Sequence, residues 1–460
     1  MTLSAKSSDL LLEKIRQGAS LSSREKLNLI IGLSIPSILA QITSVLMFFI
    51  DASMVGHLGA EASASIGIVE TSTWLFGSMT TAASMGFSVQ VAHFIGANDF
   101  QRARDVFRHA LIATTILSLI LLVIGVAIAF PLPYWLGGGD DIARDASLYF
   151  LIFALTGPFF QLANLSGAML KCSGNMRIPS IMSVMMCVLD VVFNFFFIYI
   201  IGWGVVGAAI GTSLAIIISA LGQAYFAIVR SPMLALRQDH TPFRWNPAYI
   251  HNAAKIGAPM ALQSVLMGGA QIVGTRIVAP LGNVSIAANS FAITVESLCY
   301  MPGYGIGDAA TTLVGQSRGA RRFDICRSFA WMTIGVAMLV MAFMGMLMFI
   351  FAPELMAILT PVAEIKDLGA LVLRIEAFAE PMFAAAIVSY SICVGAGDTL
   401  RPAMLNLFSM WCVRLTLAAV LARDYGLKGV WIAMAVELTC RGTLFLIRIW
   451  RGNWMKKVLQ

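Results

Sequence analysis

The run Ser34-Ile35-Pro36-Ser37-Ile38-Leu39-Ala40-Gln41, continuing to Phe48-Phe49-Ile50-Asp51-Ala52-Ser53-Met54-Val55-Gly56, decides what kind of protein this is. It holds about 20 mostly apolar residues, enough to cross ~30 Å of hydrocarbon as a helix. Within it lies one carboxylate, Asp51, whose burial in lipid is costly enough to mark a functional site by default. Pro36, a third of the way along, marks an expected bend in that helix.

Similar blocks follow along the whole chain. About twelve fall near 28–56, 62–92, 107–133, 144–171, 178–201, 204–229, 252–280, 285–316, 328–357, 366–394, 402–423 and 426–449. The composition agrees: 58% of the 460 residues are hydrophobic and 12% charged, with mean hydropathy +0.82, which excludes an ordinary soluble domain. Continuous runs exclude a β-barrel, whose segments are short and alternating. Gly and Pro inside the blocks point to bent helices packed on one another. The expected fold is therefore an all-α membrane protein. The seven cysteines are scattered without a CxxC pair, so neither a disulfide framework nor a metal cluster is expected. The polar first 26 or so residues lack the apolar core of a cleavable signal peptide.

The net charge of +7 is topological. Lys and Arg gather in the two tails and in alternate connections, as in Arg102, Arg104 and Arg108, or Arg318, Arg321, Arg322 and Arg327. The remaining connections hold only Arg144, Lys366, Arg423 and Lys428. By the positive-inside rule both termini are cytoplasmic, at the plasma (inner) membrane, and nucleic-acid binding is an unnecessary explanation of the charge.

The second half rereads the first. An offset of 223 carries Pro36 to Pro259, Leu58-Gly59 to Leu281-Gly282, Gly96-Ala97 to Gly319-Ala320, Pro158 to Pro381, Gly174 to Gly397 and Pro179 to Pro402. Six spans per repeat make the halves parallel, related by an axis along the membrane normal. The organisation expected is a cytoplasmic segment (1–27), a six-helix lobe (28–229), a cytoplasmic linker (230–251), a second six-helix lobe (252–449) and a tail (450–460). The two lobes would face each other across a central cavity and rock between two openings.

The lobes differ in charge. The first carries Asp51, Glu70 and Asp190 within its spans and no base; the second carries Glu296, Asp308, Glu376, Glu380 and Glu437 together with Arg276, Arg374, Arg414 and Arg441. Arg374 lies six positions before Glu380, and Glu437 and Arg441 are spaced i, i+4, so the second set is expected to neutralise itself. The acids of the first lobe must take up a proton, a metal ion or a cationic ligand, or face water. Asp51, Asp190, Asn194 one turn beyond it, and Thr212 on the next span fall at similar depth. Together they form an all-oxygen site for H⁺ or Na⁺. The competing readings are a protonated structural acid for Asp51 or Asp190, an interhelical polar contact for Asn194 and Thr212, and a water-filled vestibule or substrate cavity for Glu70.

Pro36 followed by Asp51 in Ile-Asp-Ala-Ser-Met-Val-Gly-His-Leu-Gly, Gly96-Ala97 before Arg102 and Arg104, and Gly395-Ala396-Gly397-Asp398-Thr399 with Arg401-Pro402 together resemble the multidrug and toxic compound extrusion (MATE) family, and its DinF-like branch in particular. The resemblance implies an antiporter expelling amphipathic, often cationic small molecules in exchange for H⁺ or Na⁺, with Asp51 as coupling carboxylate and Pro36 as the bend of the first helix. Asp190, Asn194 and Thr212 match the positions that complete a cation site. The fifth span reads Asp-x-x-x-Asn where some members have Asn-x-x-x-Asp, and the seventh lacks a mid-helix acid at Leu262-Gln263-Ser264-Val265-Leu266. A monomer with no cofactor beyond its coupling ion is the expected working unit, in contact with the lipid bilayer and its small-molecule substrates. The alternative is a lipid-linked oligosaccharide flippase, which would need Arg276, Arg374 and Arg414 to line its cavity. A membrane enzyme is not expected, for no catalytic constellation is present.

Overall fold

A computed structural model describes residues 2–455, with side chains from Lys6 onward; Lys456 and Lys457 of the basic tail lie outside the described residues. The elements, in order, are α1 (Thr2–Gln17), α2 (Ser23–Gly56), α3 (Ala60–Gly96), α4 (Phe100–Ile128), the single turn α5 (Leu132–Trp135), α6 (Asp140–Cys172), α7 (Arg177–Phe195) and α8 (Gly204–Tyr225). Then follow α9 (Pro247–Val278), α10 (Asn283–Gly319), α11 (Phe323–Leu359), α12 (Ala363–Ala377), α13 (Glu380–Gly395), α14 (Leu400–Phe408), α15 (Leu415–Tyr425) and α16 (Leu427–Arg451). No strand occurs among the described residues.

Among the described residues, ten helical stretches are long and apolar enough to cross a membrane, α14 and α15 counting as one through the π-helical turn Ser409–Arg414. Two further crossings complete a set of twelve. α3 is too rich in Ser, Thr and Gly to score as apolar. It is nevertheless packed inside the bundle, because Ser65, Thr73, Thr80 and Ser84 return their hydroxyls to carbonyls three or four residues back. The other crossing is broken: α12 stops at Ala377 and α13 restarts at Glu380 with Pro381 in its first turn. Pro158, 223 positions earlier, sits inside α6 without interrupting it. The repeated proline thus splits one helix and not its counterpart.

Helix starts follow local chemistry. Ser22 and Glu25 form a reciprocal capping box ahead of α2. Asp99 accepts from the Arg102 amide at α4, and Asn246 from the Ala248 amide at α9, where Pro247 opens the helix. α2 runs through Pro36 with helical backbone angles throughout. Within α11 the chain leaves helical angles at Phe351, two residues before Pro353.

α2–α8 form the first lobe and α9–α16 the second. Their pseudo-twofold relation is visible atom by atom on the face that carries both termini. His93 Nε2 meets the Gly395 carbonyl at 2.8 Å, and Gln316 Nε2 donates to the Cys172 carbonyl at 2.9 Å; 93 and 316, like 172 and 395, are 223 apart. A Cβ on Gly96 would fall 2.0 Å from the Gln316 carbonyl oxygen, and one on Gly319 1.9 Å from that of His93. The helix ends therefore cross backbone to backbone. Asn98 and Arg321, again equivalent, both adopt left-handed backbone with φ of 58° and 57°. Lys171 and Asp308 add an ion pair across the lobes at 3.2 Å, joined by Ser37 and Gln41, which donate to the same carboxylate. Among the described residues, every hydrogen bond recorded between the lobes lies in this terminus-bearing half. Among the described residues, these bonds fasten the lobes on the terminus-bearing side.

The connection between the lobes is docked on the first. Arg108 pairs with Asp239 at 2.7 Å, and Gln101 and Thr241 donate to the same carboxylate. Burial alone would raise the Asp239 carboxyl, but these hydrogen bonds and the Arg108 charge outweigh it and hold it below the usual range. The His109 ring accepts from the Asn246 amide and is flanked by the rings of Phe243, Trp245 and Tyr249.

Candidate functional site

The four residues grouped by depth meet in the first lobe, in the half away from the fastened face. Asp51 lies five residues before the end of α2; Asp190 and Asn194 lie on α7, both fully buried. The Asn194 Nδ2 donates to Asp51 Oδ1 at 2.9 Å and reaches Thr212 Oγ1 on α8 at 3.5 Å. One amide therefore bridges the acid and the hydroxyl, and the i, i+4 spacing of Asp190 and Asn194 puts both on the same face of α7.

The acceptors outnumber the donors. No donor reaches either oxygen of Asp190 or the Oδ1 of Asn194, and the Asp51 carboxyl is the close ionisable neighbour of Asp190. Buried acceptors are ordinarily satisfied, and two facing carboxylates without a counter-charge repel. The orphaned oxygens are what a proton or a small hard cation would satisfy, so the residues present fit either ion.

Local backbone makes room for this cluster. A Cβ on Gly211 would fall 2.2 Å from Asn194 Oδ1 and 2.9 Å from its amide nitrogen, so glycine lets α7 and α8 close on the site. Directly after Asn194 the chain takes a π-helical turn, Phe196–Ile200, a feature frequent at functional sites.

Two contributors were not singled out in the sequence. One is Gly211. The other is Tyr149 on α6, within electrostatic reach of Asp51, Glu70 and Asp190. It lines a cleft with Phe153, Thr156, Phe160 and Thr212. The only sequence signal for Tyr149 was a polar ring in an apolar span. Glu70 is half-buried on α3 and belongs to the same acidic field without bonding to the cluster. Pro36 lies in the other half of α2, by the lobe junction, and the chain keeps helical backbone angles through it.

The second lobe departs from its expected neutralisation. Arg374 does not reach Glu380: its Nε donates to the Phe349 carbonyl and its guanidinium stands over the Phe349 ring at 5.5 Å. Glu376 and Glu380, on either side of the break, are buried, while Arg374, a turn earlier, leaves by another face. Glu437 does pair with Arg441, at 2.6 Å, and also with Arg414 at 2.8 Å. Glu296, Glu376 and Glu380 gather instead at the break between α12 and α13, with carboxylate oxygens within 4.8 Å of one another and all three buried. No hydrogen-bond donor reaches Glu376 or Glu380.

Comparison with known proteins agrees with this layout. The chain is 24% identical over 436 residues to a probable multidrug resistance protein, NorM, of Thermotoga maritima, covering 94% of this chain and 93% of the relative. It is 23% identical to the uncharacterized transporter YisQ of Bacillus subtilis, over 88% and 90% of the two. Among solved structures, an outward-facing MATE family multidrug resistance transporter of the MOP superfamily superposes with a TM-score of 0.89 at 22% identity, covering 94% and 97% of the two chains. The MatE family model matches residues 36–196 and again 259–420, two copies starting 223 positions apart and one on each lobe. The chain thus carries the family's repeat in the register of its own, and it belongs to the MatE family.

Proposed function

We propose that this chain is a secondary active antiporter of the plasma (inner) membrane, with cytoplasmic termini, that exports amphipathic, cationic small molecules in exchange for H⁺ or Na⁺. The observation that carries the reading is the cluster Asp51, Asp190, Asn194 and Thr212, in which the buried oxygens of Asp190 and the Oδ1 of Asn194 have no donor to answer them. The name of the Thermotoga relative and the fold support extrusion of drugs.

In this mechanism the bridging Asn194 holds Asp51 and Thr212 in register, and Asp51 and Asp190 take the coupling cation from the outer side. Loading removes negative charge from the pair, so the attraction of a cationic substrate in the cavity to the first lobe is weakened. The coupling is reciprocal, and a differential of ~1–3 kcal/mol already shifts occupancy 5–150-fold. Rocking of the lobes then exchanges the openings.

Asp51→Asn keeps the shape of the site and removes its charge. Gradient-driven efflux of a cationic dye from vesicles is expected to fall on the order of tenfold. Full efflux by this variant would falsify the assignment. A pH jump with and without added Na⁺ distinguishes the ions. A second reading of where the cation binds rests on Glu376 and Glu380, whose oxygens are likewise unanswered, and on Glu296 beside them in the other lobe. Under it, Glu376→Gln abolishes coupling and Asp51→Asn does not. Of the three arginines the flippase alternative needs, Arg414 is committed to Glu437 and Arg374 to the Phe349 carbonyl and ring, which leaves the exposed Arg276.

A further inference from the structure

One element of the closed face has no counterpart in the other half. α1 lies across the pseudo-twofold axis, over the crossing of α3 and α10. Leu12 and Ile15 are buried in one cluster with Leu33 and Met176 of the first lobe and Leu313 and Phe329 of the second. Two glycines admit it: a Cβ on Gly174 would fall 2.3 Å from Leu12 Cδ1, and one on Gly32 2.5 Å from Ser8 Oγ.

The C-terminal end of α1 is gripped from both sides. From the second lobe, Arg322 Nη1 donates to the carbonyls of Lys14, Ile15 and Ala19, the last at 2.7 Å. From the first, Asn98 donates to the Arg16 carbonyl, and the Arg16 guanidinium stands over the Phe100 ring. Lys14 also pairs with Glu25 of α2 at 2.7 Å. These holds come from the equivalent turns around Asn98 and Arg321, which must separate for this face to open. α1 cannot keep both. It is joined to the first lobe covalently through the short turn at Gly18–Ser22, so the contacts that must give way are those to the second lobe.

We propose that α1 is a strap that locks the lobes shut on the terminus-bearing face and must release Arg322 and the Leu313–Phe329 surface before that face opens. The inference rests on the alternating-access reading for its need of an opening. The test reads opening directly, whatever is transported. Full-length protein in nanodiscs carries Thr312→Cys at the seal, with exposed Cys412 and Cys440 replaced by Ser. N-ethylmaleimide modification at position 312 is followed by peptide mass spectrometry. Thr312 is buried and its hydroxyl donates to the Lys171 carbonyl across the lobes, so it reacts only when they part. Deleting residues 2–17 is expected to speed modification roughly fivefold or more, and Arg322→Gln to speed it to a lesser degree. Lys14→Gln, which loses only a contact to α2, should leave the rate at the parent value. If the deletion does not fold, Leu12→Ala combined with Arg322→Gln carries the same expectation. Rates within about twofold of the parent in the folded variants overturn the strap. Accelerated modification alongside a parent protein that moves no cation would instead retain the strap and overturn the antiporter reading.

Discussion

The smallest features of the candidate site are the most exacting. Gly211 leaves Asn194 a gap that no other residue leaves, so Gly211→Ala must move the amide or part α7 from α8. We expect about 1–3 kcal/mol of lost stability, the usual cost of overpacking, together with a loss of transport matching that of Asn194→Ala, measured by thermal unfolding and dye efflux on the same preparations. Glu437 is the other demanding residue. Two guanidiniums converge on it, and Glu437→Ala is expected to destabilise by about 3–5 kcal/mol by stranding buried charge, read as a lowered unfolding temperature in detergent. Asp51, Asp190, Asn194 and Thr212 were legible because a polar atom in an apolar span is conspicuous and helical spacing fixes its face. Gly211 was not, since a glycine among the many in these spans reveals its role only when its neighbour is in place. Arg374 was misread because sequence distance to an acid says nothing about which way a long side chain leaves the helix.

At the scale of elements, the contrast between α6 and the pair α12–α13 is the most informative. The prolines at 158 and 381 are equivalent, yet only the second breaks its helix. The break places Glu380 in the first turn of α13. No periodicity in the sequence distinguishes the two prolines. The docked linker makes a prediction of another kind. Asp239 titrates below its ordinary range when folded, so its contribution is complete above about pH 4 and is lost as pH falls through the lower folded value. Hydrogen exchange of residues 236–246 is therefore expected to rise on acidification in that window. Asp239→Asn should exchange fast at neutral pH as well.

For the whole molecule, the repeat was readable from six landmarks, and the structure turns those landmarks into contacts. Gly96 and Gly319 are where each lobe touches the other's backbone, and Gly59 with Gly282 and Gly174 with Gly397 are paired turns with positive φ. What the sequence could not disclose is which face is shut, because both openings use the same helices and differ only in how the lobes lean. Gly96→Ala is expected to wedge the fastened face apart and speed thiol modification at position 312, with Gly319→Ala doing the same from the other lobe. The bare crossing has a mechanical consequence. Where side chains intervene, surfaces can slide by changing rotamers, but here main chain rests on main chain with nothing soft between. Such a joint behaves like a knife-edge bearing: it carries load while shut, loses contact all at once when tilted, and sets a sharp threshold for the swing of the lobes rather than a graded one.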